Sequence, residues 1–300
     1  MKEYQSYPLL KKGDHIRILC TARSVEAKDL NLATQWVESL GYQVSLGNTI
    51  GKQHHQYGGS NKERLEDFMD ALKDDSVNAI WIARGGYGTV KIVDSIDMDV
   101  LKGSNKLLIG YSDVTHLHGL WQQHGLRSLH TFMPRELEEK ADEVKISWKK
   151  AVEGSRQEFV IPNHQNLKSE TINAPVVGGN LSVLVSMLGS PTFPNVDGHF
   201  LFLEDLDELR YHIDRMMTVL KRAGKLAHLK GLIIGGFTDI RDHETPFGKT
   251  VEEIINEHTT DYDYPVIYNF PAGHVVDNYS FVLGKQTNVI IETDKIFISQ

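Results

Sequence analysis

Leu107-Leu-Ile-Gly-Tyr-Ser-Asp-Val-Thr115 decides how this chain is read. Three apolar residues stop at Gly110, and residues 114–123 then carry a helical pattern. A short buried strand therefore turns sharply into a helix, and Ser112 stands at the turn. A serine in that place is lifted out of the sheet, with backbone N–H groups and the positive end of a helix dipole beside it. The position suits a nucleophile. It also suits a simple helix N-cap, and the run alone does not choose between them.

Working outward, the first half of the chain alternates strand and helix signals. Residues 15–20 read as a strand, and 29–40 as a helix ended by Gly41. Residues 42–46 read as the next strand. Ser60 and Glu63 form a capping box ahead of the amphipathic series Leu65, Phe68, Met69, Leu72. Residues 79–83 are a short apolar strand running into Arg84-Gly-Gly-Tyr-Gly88. A phosphate-binding loop of the Walker type needs a lysine after its last glycine, and Thr89 stands there instead. Such alternation predicts a parallel sheet with right-handed crossovers and a site at the carboxyl ends of its strands. Both the 84–88 loop and Ser112 fall at such ends.

Residues 136–173 are polar and weakly periodic, and read as an inter-domain connection with a helix around 136–151. The second half mixes helices (181–188, 211–223, 251–257) with strands (199–203, 231–235, 265–268). Three strands that look antiparallel, 281–283, 288–292 and 295–299, close the chain. Ile213, Met216, Met217 and Leu220 share one helix face and read as core. The predicted fold class is α/β: an N-terminal parallel-sheet domain over residues 1–135, the connection over 136–173, and a mixed, strand-rich C-terminal domain over 174–300.

Three hundred residues fit two domains better than one. A net charge of −8 with interspersed signs and no basic stripe argues against nucleic-acid binding. No apolar run is long enough to span a bilayer, and the first twenty residues lack a signal-peptide pattern, which fits a cytoplasmic protein. With Cys20 as its single cysteine, the chain has neither an intrachain disulfide nor a cysteine-rich zinc site. His116 and His118, two apart on a helix, poorly suit one metal; His54-His55 lies in a polar loop; and Asp242-His243-Glu244 could touch a cation but reads better as a solvated loop, so neither metal nor cofactor is expected.

A serine nucleophile needs a base, and the base needs an orienting group. His274, in Phe270-Pro-Ala-Gly-His274, follows a strand on a glycine-containing loop and could face a cleft. Glu204 ends an apolar strand and could offer a carboxylate at the same rim. Each is equally compatible with an ordinary solvated role.

Taken in order, Ala83-Arg-Gly-Gly-Tyr-Gly88, Gly110-Tyr-Ser-Asp-Val-Thr115, Gly178-Gly-Asn-Leu181, Phe202-Leu-Glu-Asp205 and Gly273-His274 resemble the motif set of the LD-carboxypeptidase family, serine peptidases of peptidoglycan recycling. The resemblance covers nearly the whole chain. It implies Ser112 as nucleophile, His274 as general base, Glu204 as its orienting carboxylate, and the backbone N–H groups of Gly86 and Asp113 as oxyanion hole. It also implies no cofactor, a small peptide or muropeptide as partner, a homodimer as a possible assembly, and release of a terminal D-alanine from a cytoplasmic muropeptide. For the terminal carboxylate Arg84 is the candidate, with Asn180 as a second cleft residue. The chain departs from the family pattern at Cys20-Thr-Ala-Arg23 and at His130-Thr-Phe-Met133, which leaves the shape of the substrate pocket open. Two other functions remain: hydrolysis of peptidyl-nucleotide antibiotics, for which Trp148 would be the aromatic platform, and a catalytically silent muropeptide-binding module.

Overall fold

The computed structural model describes residues 4–165 and 167–300; residues 1–3 and residue 166, assigned above to the N-terminal domain and the connection, lie outside the described residues. The strands are β1 (His15–Leu19), β2 (Gln43–Leu46), β3 (Ala79–Ile82), β4 (Leu107–Gly110), β5 (Ser128–His130), β6 (Glu158–Pro162), β7 (Glu170–Asn180), β8 (Phe200–Leu206), β9 (Gly231–Thr238), β10 (Val266–Ile267), β11 (Phe281–Leu283), β12 (Gln286–Ile291) and β13 (Lys295–Ser299). The α-helices are α1 (Asn31–Ser39), α2 (Asn61–Lys73), α3 (Met98–Gly103), α4 (Thr115–Gln123), α5 (Asp142–Val152), α6 (Leu181–Ser186), α7 (Arg210–Arg222) and α8 (Val251–Thr259). They build an α/β protein on two sheets, with strand orders β11-β5-β4-β3-β1-β2 and β10-β9-β8-β7-β12-β13-β6.

In the first sheet β1 to β5 are parallel. Both of its faces are covered, which is why β3 and β4 read as unbroken apolar runs. The pleat divides them: Trp81 and Ile109 point toward α1 and α5, whereas Ile80, Ile82 and Leu108 point toward α2 and α4. Ser60 caps α2 by accepting from the Glu63 N–H while Glu63 reaches back to the Ser60 N–H, as the capping box predicts.

The second sheet is half parallel (β7 to β10) and half antiparallel (β7, β12, β13, β6). Ile213, Met216, Met217 and Leu220 of α7 are buried against it, with Leu181 and Leu184 of α6 and Ile254 and Ile255 of α8. That apolar stripe is core.

Two features differ from the sequence reading. Residues 136–173 carry the expected helix as α5, but its Val144, Trp148, Ala151 and Val152 enter the first sheet's core, and β6 and the start of β7, which were not expected, follow it. Their polar composition reflects half-exposed strands, since the first residues of β7 keep one or both faces in solvent. The three terminal strands also do not stay together. β12 and β13 pair in the second sheet, while β11 crosses over and pairs antiparallel with β5, placing Phe281 opposite His130. No helix among the described residues is long and apolar enough to cross a membrane.

Candidate active site

β4 ends at Gly110, and the chain makes one tight turn, Ser112–Val114, before α4 begins. Ser112 takes a φ of 62°, the left-handed region that a residue with a Cβ adopts at a cost of about 1–3 kcal/mol. Its side chain makes no capping bond to the helix, so the N-cap alternative does not describe it. Gly85 lies against the serine: a Cβ at that position would stand 3.0 Å from Ser112 Oγ. Any larger residue there would push on the hydroxyl.

Glu204 comes from β8, where the ladder to β9 shifts register between Leu203 and Asp205. The side chain is fully buried. His274 comes from the loop after β10, tied to β9 by a bridge between Gly236 and Gly273. His274 Nδ1 lies 2.6 Å from Glu204 Oε2, and the His274 main-chain N–H donates to the same oxygen at 3.1 Å. Donation from Nδ1 leaves Nε2 free to accept, and Ser112 Oγ lies 3.1 Å from it. The structure thus brings hydroxyl, imidazole and carboxylate into one hydrogen-bonded line.

Gly273 fixes that line from below. Its φ is 104°, and a Cβ there would approach Glu204 Cβ to 2.6 Å. Gly273→Ala is therefore expected to combine backbone strain with displacement of the carboxylate. Melting should report a loss of about 2 kcal/mol or more, and kcat a fall of roughly 10²-fold, the order that small misplacements of reacting groups cause.

Burial pulls the His274 pKa down, but the charge and hydrogen bond of Glu204, with smaller contributions from Glu136 and Asp205, outweigh it and leave the pKa raised. Tyr111 packs its ring 4.7 Å from the imidazole and donates its hydroxyl to Glu136 Oε1 at 2.9 Å. Lys140 Nζ lies 3.8 Å from Glu136 Oε2 and donates to the Val276 carbonyl at 3.1 Å. A polar strap thus joins the serine turn to the histidine loop.

Asp113 does not face solvent at the helix start. Its buried carboxylate accepts from the Thr89 N–H at 2.8 Å. Buried Arg64 donates to the carbonyls of Thr21 and Gly88. These bonds hold the 84–88 loop beside Ser112, with Gly86 at φ 101°. Gly86, Ser112 and His274 line one open cleft of about 450 Å³.

Arg84 lines the same cleft and donates to the Ser24 carbonyl at 3.2 Å. Asn180 does not. It is buried, caps α6 by accepting from Val183 N–H, and donates to Asp205 Oδ1 at 2.9 Å. Motif position placed it near the site, but its amide serves the support behind Glu204. Burial and the Glu204 charge raise Asp205 to a pKa of about 7. Trp148 is fully buried, with its ring 5.0 Å from Trp36 and 5.2 Å from Trp81, so it offers no platform to a ligand. His118 is buried between Ser128 Oγ and the Gly110 carbonyl, and Asp242 faces Arg210 at 3.4 Å. In the second departure from the family pattern, Phe132 packs in the core on Trp81, and Thr131 bonds Ser280 at 2.6 Å. Neither reaches the cleft. Arg23, from the first departure, does, as do Arg135, Tyr111 and Glu136, none of which the sequence reading made a site residue.

Comparison with known proteins agrees with this architecture. The family model described as LD-carboxypeptidase N-terminal domain matches residues 16–131, and that of the LD-carboxypeptidase C-terminal domain matches residues 173–289. A protein named "Probable murein peptide carboxypeptidase" from Bacillus subtilis (strain 168) is 32% identical over 283 residues, covering 92% of this chain and 88% of its own. Among solved structures, muramoyltetrapeptide carboxypeptidase from Oxalobacter formigenes has the same fold, with a TM-score of 0.86 at 24% identity, covering 95% of this chain and 98% of its own. So does MccF in complex with glutamyl sulfamoyl guanosine, with a TM-score of 0.85 at 19% identity and 97% of each chain covered. By both of its matched halves and by its sequence relatives, the chain belongs to the LD-carboxypeptidase family.

Proposed function

We propose that this protein is a serine carboxypeptidase that cleaves the L,D-peptide bond ahead of the terminal D-alanine of a muropeptide, acting in the cytoplasm in peptidoglycan recycling. The observation that carries the reading is the continuous line from Ser112 Oγ through His274 to Glu204, with separations of 3.1 and 2.6 Å. Ser112 attacks the scissile carbonyl while His274 Nε2 takes its proton. Glu204 holds the imidazole in the tautomer that leaves Nε2 able to accept, and stabilises the imidazolium that forms. The N–H groups of Gly86 and Asp113 receive the developing oxyanion, with no Cβ at residue 86 in the way. His274 returns the proton to the departing D-alanine nitrogen, and a water activated by the same imidazole hydrolyses the acyl-enzyme.

The nucleotide alternative has lost the aromatic platform it relied on, since Trp148 is in the core. A purely binding role leaves the aligned hydroxyl and imidazole without a purpose.

Chromatographic detection of free D-alanine from an L,D-tetrapeptide tests the proposal, with the all-L peptide as control. Rapid release from the first alone is expected; no release from either ends the reading. The base must be neutral to act, and its pKa is raised. The acidic limb of kcat/KM is therefore expected above the ordinary imidazole value of about 6.5, with activity falling as pH drops through it. A limb well below that value would assign the base to another group.

A further inference from the structure

His274 reaches the serine on a loop that its own half of the molecule holds only in part. The Gly273 N–H donates to Asn278 Oδ1 at 2.9 Å, and Thr238 Oγ1 donates to the His274 carbonyl at 2.8 Å. Farther along, Val276 keeps 70% of its surface in solvent, so its side chain anchors little. Its carbonyl is what is held, and the donor, Lys140 Nζ at 3.1 Å, comes from the segment that follows β5.

That lysine is costly where it stands. Its side chain is only 5% exposed, and its ion partner Glu136 lies at 3.8 Å, beyond hydrogen-bond reach. A methionine would fill similar space without desolvating an ammonium. Glu136 divides its two oxygens. Oε1 accepts from the Tyr111 hydroxyl at 2.9 Å, and Oε2 from the Met133 N–H at 3.2 Å. The Tyr111 ring so held lies 4.7 Å from the imidazole. Both members of the pair therefore end at His274, the carboxylate through the ring that abuts it and the ammonium through a carbonyl two residues on.

We propose that Glu136 and Lys140 are positioning residues for the catalytic base: an ion pair from the segment after β5 seats a histidine supplied by the other half of the chain. The inference rests on the carboxypeptidase reading and adds to it what keeps the base in line. The pair acts through charge as well as through bonds. Burial lowers the His274 pKa, Glu204 raises it most, and Glu136 comes next, ahead of Asp205. His130, the neighbouring imidazole from β5, is held well below the ordinary value by burial and then by the charges of His118 and His274, so it stays neutral. Without the carboxylate at 136, His274 should lose its proton at lower pH. Without the ammonium at 140, Glu136 acts unshielded and the shift should run the other way. Arg23, Arg84 and Arg135, which also line the cleft, are the same in both variants.

NMR titration of the His274 ring in full-length protein, assigned by its loss in His274→Gln, tests this without any substrate. Glu136→Gln is expected to lower the His274 pKa and Lys140→Met to raise it. The double variant should stay close to Glu136→Gln, because Lys140 acts through that carboxylate. On an L,D-tetrapeptide the acidic limb should move in the same directions. The plateau kcat of Lys140→Met should fall about tenfold with KM within about twofold, and Lys140→Arg should recover most of it. Shifts of the same sign in the two single variants overturn the proposal, as does a Lys140→Met protein with wild-type titration and kcat. If Lys140→Met does not fold, Glu136→Gln alone decides: an unchanged His274 titration overturns the proposal, and a lowered one supports it. If no variant and no wild type cleaves the peptide, the carboxypeptidase reading has failed on its own, and the titrations still decide the role of the pair.

Discussion

Ser112→Ala is expected to lower kcat on an L,D-tetrapeptide by about 10⁴-fold or more, with melting unchanged. Both parts follow from the geometry. The hydroxyl is the atom 3.1 Å from His274 Nε2. Serine and alanine each carry a Cβ, so the strain at φ 62° is the same in either. The loss would therefore be chemical rather than conformational. Single-turnover kinetics beside a thermal melt read the two effects separately. Near-full turnover by the variant would remove Ser112 as nucleophile.

The second large effect is expected at Glu204. Glu204→Gln keeps the shape but removes the charge that accepts from both His274 Nδ1 and the His274 main chain. An amide can turn its NH₂ toward the ring and hold the wrong tautomer, and it no longer stabilises an imidazolium. A fall in kcat/KM of about 10³–10⁴-fold is expected. The sign of the pH effect follows from the same contact: the carboxylate is the largest influence raising the His274 pKa, so its removal moves the acidic limb to lower pH. A variant that kept both its rate and its limb would assign the orienting role elsewhere, with Glu136 and Asp205 the other carboxylates whose charge acts on the imidazole.

Much of this was legible from residues alone, for reasons particular elements make clear. β3 and β4 announce themselves because a strand covered on both faces has no polar register to confuse it. Ser112 could be placed at a strand end because the apolar run stops abruptly. Its convergence with His274, 162 positions on, and with Glu204, 70 positions before that base, could not be read from spacing; the ordered motifs supplied it. β7 was missed where Gly178 and Gly179 imitate a loop. Glycine is needed there because a Cβ at 178 would strike the Phe202 carbonyl at 2.1 Å, and one at 179 would strike Thr115 Oγ1 at 2.5 Å. Asn180 was misjudged because an amide beside glycines looks the same whether it caps a helix or meets a ligand. Arg23 and Arg135 are single residues with no periodicity. Arg23 did carry a signal, since it follows the carboxyl end of β1, where parallel sheets build their sites, in a tetrapeptide that departs from the family's usual one.

β11 ties the two halves of the molecule in a way that bears on evolution and on engineering. A gene cut after residue 135 would yield a first sheet whose β5 has lost its outer neighbour, leaving a row of unmatched amides and carbonyls beside His130. Such a fragment invites self-association instead of standing alone. The halves are accordingly not interchangeable cassettes: swapping one between relatives means carrying this returning tripeptide with its receiving groove. The serine and its base, one from each half, inherit their alignment from that backbone staple before any peptide arrives.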